Sequence, residues 1–169
     1  MITPEISSAA LVWIIDILRK HAIPFQISGG LAAIAYGSPR SLNDIDIDIP
    51  DARIPDIVED VAGHCPYPLE HYKDADWDLQ LMTLDYFGQA IDISGAQGAK
   101  VFDKREEHWV AVASDPTTAI ELEVLGMRAP VMNPKSFIAY KTHLHRVVDG
   151  REIDAEDVRT AEAFLASLG

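Results

Sequence analysis

The chain has 169 residues, of which 48% are hydrophobic and 24% charged, a mixture that supports a packed core and excludes wholesale disorder. Its formal net charge of -13 repels phosphate backbones, which excludes bulk coating of DNA or RNA; a nucleic-acid substrate would need a locally basic or metal-neutralised site. The single cysteine, Cys65, excludes an internal disulfide, and no Cys/His cluster has zinc-ligand spacing.

Residues 4–21 carry Ile6, Ala10, Trp13, Ile14, Ile17 and Leu18 at helical spacing, with Thr3 as N-cap and Pro4 at the first helical position. The most apolar part of that run is interrupted by Asp16, is too short to span a bilayer and follows Glu5 rather than a basic stretch. The expectation is no membrane segment, no signal peptide and a cytoplasmic location by default. Residues 24–28 read as a short strand ending at Gly29-Gly30, and residues 31–36 as an Ala-rich helix stopped by Gly37 and Pro39. Residues 45–49 alternate strictly, which is the strand period. Residues 55–62 read as a helix. Residues 78–84 and 89–94 read as paired strands, and residues 119–125 and 128–132 as a hairpin around Gly126. Asn133 is placed to cap a helix over residues 134–148, and a last helix runs from Asp154 to about Leu168. The sum is an α+β fold in two layers, a mixed sheet with flanking helices. Residues 1–132 form the core, and residues 133–169 form a C-terminal helical segment packed on it as one compact unit.

The chemistry concentrates in Asp44-Ile45-Asp46-Ile47-Asp48-Ile49. Residues two apart on a strand share a face, so the isoleucines face a core and the three aspartates project together from the other side. Like charges in a row repel, and Asp is a poor strand former. A divalent cation would offset that cost, and magnesium is held by one or two carboxylates plus substrate phosphates. The alternative is a solvated edge strand that uses Asp against aggregation. A third possibility, an EF-hand-like loop, lacks the glycine at its sixth position, where Ile49 stands, and the twelfth-position Glu, where Pro55 stands.

Gly29-Gly30, then thirteen residues, then Asp44-x-Asp46 resembles the signature of the polymerase-β-type nucleotidyltransferase superfamily. Asp92, within Ala90-Ile91-Asp92-Ile93, fits the third carboxylate of that signature. Tyr36-Gly37-Ser38-Pro39-Arg40 ahead of the acidic pair resembles the branch related to abortive-infection and toxin-type nucleotidyltransferases. The likeness covers roughly residues 24–94 and weakens beyond. The tail Lys141, Arg146, Asp154 and Asp157 is similar to that branch, but Ile153 stands where it usually has Lys, which puts a catalytic role for Asp154 and Asp157 in doubt.

The resemblance implies a magnesium-dependent transfer of a nucleoside monophosphate from a nucleoside triphosphate to a hydroxyl of an RNA, a protein or a small molecule. It implies that Asp44, Asp46 and Asp92 hold two magnesium ions with the bound triphosphate, with Asp92 also placed as base. Ser28, Gly29 and Gly30 would contact phosphates. Arg40 and Lys141 are candidates for triphosphate or acceptor binding, or ordinary surface cations. Membership of a toxin–antitoxin or phage-defence pair is implied by resemblance alone. A non-catalytic or partner-dependent nucleotide-binding protein on the same fold is the competing reading. Asp48 shares the carboxylate face outside the signature's spacing. Lys135, Lys141, His143, His145 and Arg146 form the clearest basic cluster, with Lys141 and His145 on one face of the expected helix. Trp77 and Trp109 are either core or base-stacking residues.

Overall fold

The computed structural model describes residues 1–169. Helix α1 (Pro4–Lys20) starts where Thr3 accepts a hydrogen bond from the Ile6 amide at 3.2 Å, and it buries Ala10, Leu11, Ile14, Ile15 and Leu18. Strand β1 (Gln26–Ser28) runs directly into helix α2 (Gly29–Ala35), so the two glycines belong to the helix rather than to a turn before it. Strand β2 (Ile45–Ile49) follows. The expected helix over residues 55–62 is instead a 3-10 run (Asp51–Ile57), one turn of helix α3 (Val58–Val61) and a second 3-10 turn. Pro55 lies inside that run and cannot donate its backbone hydrogen bond, which favours the tighter, shorter turns.

Strand β3 (Tyr67–Lys73) precedes the long β4 (Trp77–Tyr86) and β5 (Gln89–Gly95). Strands β6 (Lys100–Asp103) and β7 (His108–Ala111) form a hairpin whose turn is the charged stretch Lys104 to Glu107. Strands β8 (Ile120–Val124) and β9 (Met127–Val131) form the hairpin expected around Gly126. Helix α4 (Pro134–Lys141) stops seven residues short of the expected end at 148. The Asp154 carboxylate accepts the Arg146 amide at 2.9 Å, a donor that a continuing helix would have used on the preceding turn. The chain then makes a small hairpin, β10 (Val147–Val148) with β11 (Arg151–Glu152), before helix α5 (Ile153–Ser167).

The sheet is mixed and nine-stranded. From the β3 edge the order runs β3, β4, β5, β2, β1, β9, β8, with β6 and β7 continuing beside the first residues of β4. β2 and β5 are parallel neighbours, and β1 is antiparallel to β2. Ile45, Ile47 and Ile49 on β2 and Ile91 and Ile93 on β5 are fully buried with Leu84 and residues of α1 in one continuous core. Each such side chain contributes roughly 1.5–3 kcal/mol on burial, enough to fix the register of both strands. No helix is long and apolar enough to cross a membrane. The isoleucines pin one face of β2 and β5 to the core, so the intervening residues must project from the other face.

Candidate active site

That opposite face carries the carboxylates. Ser28 of β1 pairs with Asp46 of β2, Asp46 with Asp92 of β5, and Asp92 with Thr83 of β4. These four residues therefore stand in one row across four strands, each about 4.8 Å from the next along the hydrogen-bonding direction. A second row behind it holds Gln26, Asp48, Ser94 and Leu81. Asp44 sits just before β2 and is exposed.

The start of α2 closes against this row. Gly29 has φ +58, and a Cβ there would fall 2.8 Å from the Asp46 Cγ, so the close approach of that carboxylate requires glycine. The Gly29 amide donates to the Tyr140 hydroxyl at 3.2 Å. A Cβ at Gly30 would lie 3.0 Å from Nη2 of Arg40, whose guanidinium covers the turn. Asp48 accepts from Ser28 Oγ at 3.0 Å and from Gln26 Nε2 at 3.1 Å, so it is held within the sheet face. Asp92 accepts from Thr83 Oγ1 at 2.7 Å.

The charges in the row are not balanced. Burial, then the charges of Asp92, Asp48 and Asp44, push the Asp46 carboxyl up to about 8, and Lys141 only partly opposes them. Burial pushes Asp48 up to about 6 against its hydrogen bonds from Gln26 and Ser28. Burial also raises Asp92, with the charge of Asp44 adding to it and the Thr83 hydrogen bond opposing. No three His, Cys, Asp or Glu side chains are gathered into a ready-made metal cluster. The donors do fit magnesium, which takes oxygen ligands and completes its shell from substrate phosphates and water. Asp46 and Asp92 are register partners, and the burial and neighbouring charge that raise both carboxyls are what a hard cation would relieve.

The cations of the cleft are arranged differently. Nη1 of Arg40 lies 2.7 Å from both carboxylate oxygens of Asp157. Lys141, almost fully buried, lies 3.0 Å from Asp157 and 3.2 Å from Asp154. Arg146 reaches Asp154 through Nη2 at 2.7 Å and Nε at 3.0 Å. Burial alone would raise Asp154, but the Arg146 hydrogen bonds and the Lys141 and Arg146 charges outweigh it and hold it below the usual carboxylate range. Asp154 and Asp157 are thus buried partners of three cations, one helical turn apart on α5. The expected basic patch dissolves in the same way. Lys141 ends α4, so His145 does not share its helical face, and His143 and His145 both reach Asp103, at 2.9 Å and 3.3 Å.

Asp44, Asp46, Asp92, Ser28, Gly29, Gly30, Arg40 and Lys141 all line one cleft of about 750 Å³, the residue set named from sequence. Sequence reasoning missed Tyr140, which braces Gly29, and the wall formed by Tyr67, Glu70 and Tyr72 of β3. Trp77 lines the cleft as well. Trp109 instead packs on Phe102 at 5.4 Å, with the Lys73 ammonium 4.9 Å above its ring. His64, His71 and His108 bond to the Asp85 carbonyl, the Asp78 carboxylate and the Glu106 carbonyl, away from the row.

No protein-family model matches the sequence, and no curated protein matches it. Solved structures do match the fold. A protein of Thermotoga maritima assigned as a nucleotidyltransferase aligns over 99% of this chain and 95% of its own, with 20% identity and a TM-score of 0.66. ANT(2'')-Ia in complex with adenylyl-2''-tobramycin aligns over 96% of this chain and 90% of its own, with 19% identity and a TM-score of 0.60. The lincosamide antibiotic adenylyltransferase LnuA, with lincomycin bound, aligns over 91% of this chain and 95% of its own, with 14% identity and a TM-score of 0.54. The chain has the nucleotidyltransferase fold, in line with the resemblance of its Gly-Gly and Asp-x-Asp segments to the polymerase-β-type superfamily.

Proposed function

We propose that the protein transfers a nucleoside monophosphate from a nucleoside triphosphate to the hydroxyl of a small acceptor. The observation that carries this reading is the register row Ser28–Asp46–Asp92–Thr83 standing beside the Gly29-Gly30 turn. The acceptor hydroxyl attacks the α-phosphorus, the bond from that phosphorus to the bridging oxygen breaks, and pyrophosphate leaves. The hydroxyl proton passes to Asp92, whose raised affinity for protons suits a base. Ser28, Gly29 and Gly30, which line the cleft at the start of α2, would contact the β and γ phosphates, with Arg40 beside Gly30. Magnesium, held by Asp44, Asp46 and Asp92, would supply neutralisation of the charge on attacking and leaving oxygens. The cleft volume and the bulk acidity both favour a small acceptor over a polyanion. The two antibiotic-modifying neighbours are consistent with that size class.

The test is incubation with each α-labelled nucleoside triphosphate, magnesium and a cell extract. Label transfer that disappears in Asp44→Ala/Asp46→Ala is the expected result, and transfer that persists in that variant refutes the site. One observation favours a non-catalytic nucleotide binder on the same fold: Arg40 and Lys141 are already engaged by Asp157 and Asp154. Calorimetric titration with magnesium and each triphosphate separates the readings, because binding without any label transfer would select the second.

A further inference from the structure

The far side of the carboxylate row ends on β3, an edge strand with an irregular register. Tyr67 pairs with Thr83, yet Glu70 pairs with Leu81, so three steps on β3 match two on β4. This is a β-bulge at Pro68 and Leu69, and bulges re-aim side chains beside functional sites. In a regular strand, Tyr67 and Glu70 would project from opposite faces. The bulge brings both to the cleft side, where Tyr72 joins them.

The wall extends the two rows of the site. Tyr67 continues Ser28–Asp46–Asp92–Thr83, and Glu70 continues Gln26–Asp48–Ser94–Leu81. Two strand spacings, about 10 Å, separate β3 from β5, and the Gly29-Gly30 turn lies on the other side of the aspartates. A triphosphate on that turn leaves the β3 side for the acceptor. The chemistry there is one-sided. Glu70 has no hydrogen-bond or ion-pair partner, and Tyr67 is 66% exposed. The Tyr72 hydroxyl donates to Asp74 at 2.8 Å, and the charges of Asp74, Asp92 and Glu70 converge on it. Arg146 lines the same cleft, and its guanidinium is committed to Asp154.

Resting on the function proposed above, we infer that β3 is the acceptor-binding wall and that Glu70, flanked by Tyr67 and Tyr72, selects a hydroxyl-bearing organic cation. A free carboxylate on the same cleft wall as two tyrosines suits an ammonium or guanidinium, which gains a charge-assisted hydrogen bond and contact with aromatic faces. The same wall disfavours neutral polyols, for lack of a charge partner, and RNA, through repulsion.

The test compares a glucosamine trimer with maltotriose, sugars of similar size that differ in ammonium groups, and with a short RNA bearing a free 3′ hydroxyl. Each is titrated calorimetrically into the protein with magnesium and triphosphate, and each is assayed for label transfer. The expected result is binding and labelling of the glucosamine trimer alone, with Glu70→Gln raising its KM about tenfold and leaving the KM for triphosphate unchanged. Tyr67→Ala should act in the same direction, and its exposed position leaves the core intact. Equal labelling of maltotriose or RNA overturns the inference, as does an unchanged KM in Glu70→Gln or no binding of the trimer. Failure to bind any triphosphate would instead overturn the transfer reading. The β3 wall would then stand only if the trimer still bound and Glu70→Gln weakened it at least fivefold.

Discussion

Two clusters of charge contribute side chains to this cleft, and they are built on opposite principles. In the network of Arg40, Lys141 and Arg146 with Asp154 and Asp157, every buried charge has an opposite partner within about 3 Å. Among Asp46, Asp48 and Asp92, the partners are neutral side chains or other carboxylates, none forms an ion pair, and Lys141 offsets the charge around Asp46 only in part. Burial penalises both clusters, but only the first compensates for it within the protein. The lesson is that Asp identity and burial do not by themselves single out a candidate functional carboxylate; the absence of an internal cation is the sharper sign.

The largest expected difference separates Asp46 from Asp154. Asp46→Asn should lower label transfer by at least about 1,000-fold, equivalent to about 4 kcal/mol of transition-state stabilisation, while leaving the protein folded. At pH 8 without magnesium it should raise the Tm by about 5 °C, because it removes an unbalanced charge. Asp154→Asn should do the reverse to stability. Stranding Arg146, and leaving Lys141 with Asp157 as its only carboxylate, costs about 3–5 kcal/mol and should lower the Tm by about 10 °C. Scanning calorimetry on both variants decides between these assignments, and a stabilised Asp154→Asn would break the comparison.

The same contrast explains which parts of the molecule the sequence disclosed. The alternation of Asp and Ile over Asp44 to Ile49 is a local pattern, so the strand and the carboxylate face were legible, while the glycine pair read as a turn and instead opens α2. Asp92 was legible through its flanking isoleucines, which share the core face with those of β2. Arg40 and Lys141 read as candidates for triphosphate or acceptor binding, or as surface cations; the Arg40 partner Asp157 lies 117 positions away, and no local pattern announces an ion pair at that separation. The end of α4 was missed for the same reason, since Asp154 takes the Arg146 amide from beyond a hairpin. β3 went unread because Tyr-Pro-Leu-Glu-His-Tyr-Lys has a proline and a bulge that break the two-residue period.

The pH dependence of stability should also divide the clusters. Asp46 has an ordinary value of 3.8 and stands at about 8 in the fold, so the folded chain keeps a proton that the unfolded chain has released. Metal-free protein should therefore lose stability as pH rises through that interval, and magnesium should flatten the loss. Asp154 is lowered in the fold, so its contribution is present above the unfolded value and disappears as pH falls through the folded one. Thermal melts from pH 4 to 9, with and without magnesium, measure both limbs. A metal-free Tm that climbs toward pH 8 would remove the case for an unbalanced row.

Gly29→Ala is a smaller perturbation that still tests how closely the turn and the row are coupled. The left-handed backbone costs Ala about 1–2 kcal/mol, and the new Cβ must displace the Asp46 carboxylate. The expected outcome is a Tm lower by about 4 °C and label transfer reduced about tenfold or more, seen mainly in kcat. Loss of stability with normal transfer would show that Asp46 has room to move without consequence.

Asp48→Asn should have the smallest effect, and it is the most discriminating. Asp48 lines the cleft but is held by Ser28 and Gln26 one row behind Asp46, so transfer should fall less than about tenfold. Yet Asp48 is one of the charges that raise Asp46, so its neutralisation should let Asp46 ionise at lower pH. The pH giving half-maximal magnesium–triphosphate binding, read by titration calorimetry, should then move downward. An unmoved midpoint would mean that burial, Asp92 and Asp44 hold Asp46 up without a contribution from Asp48.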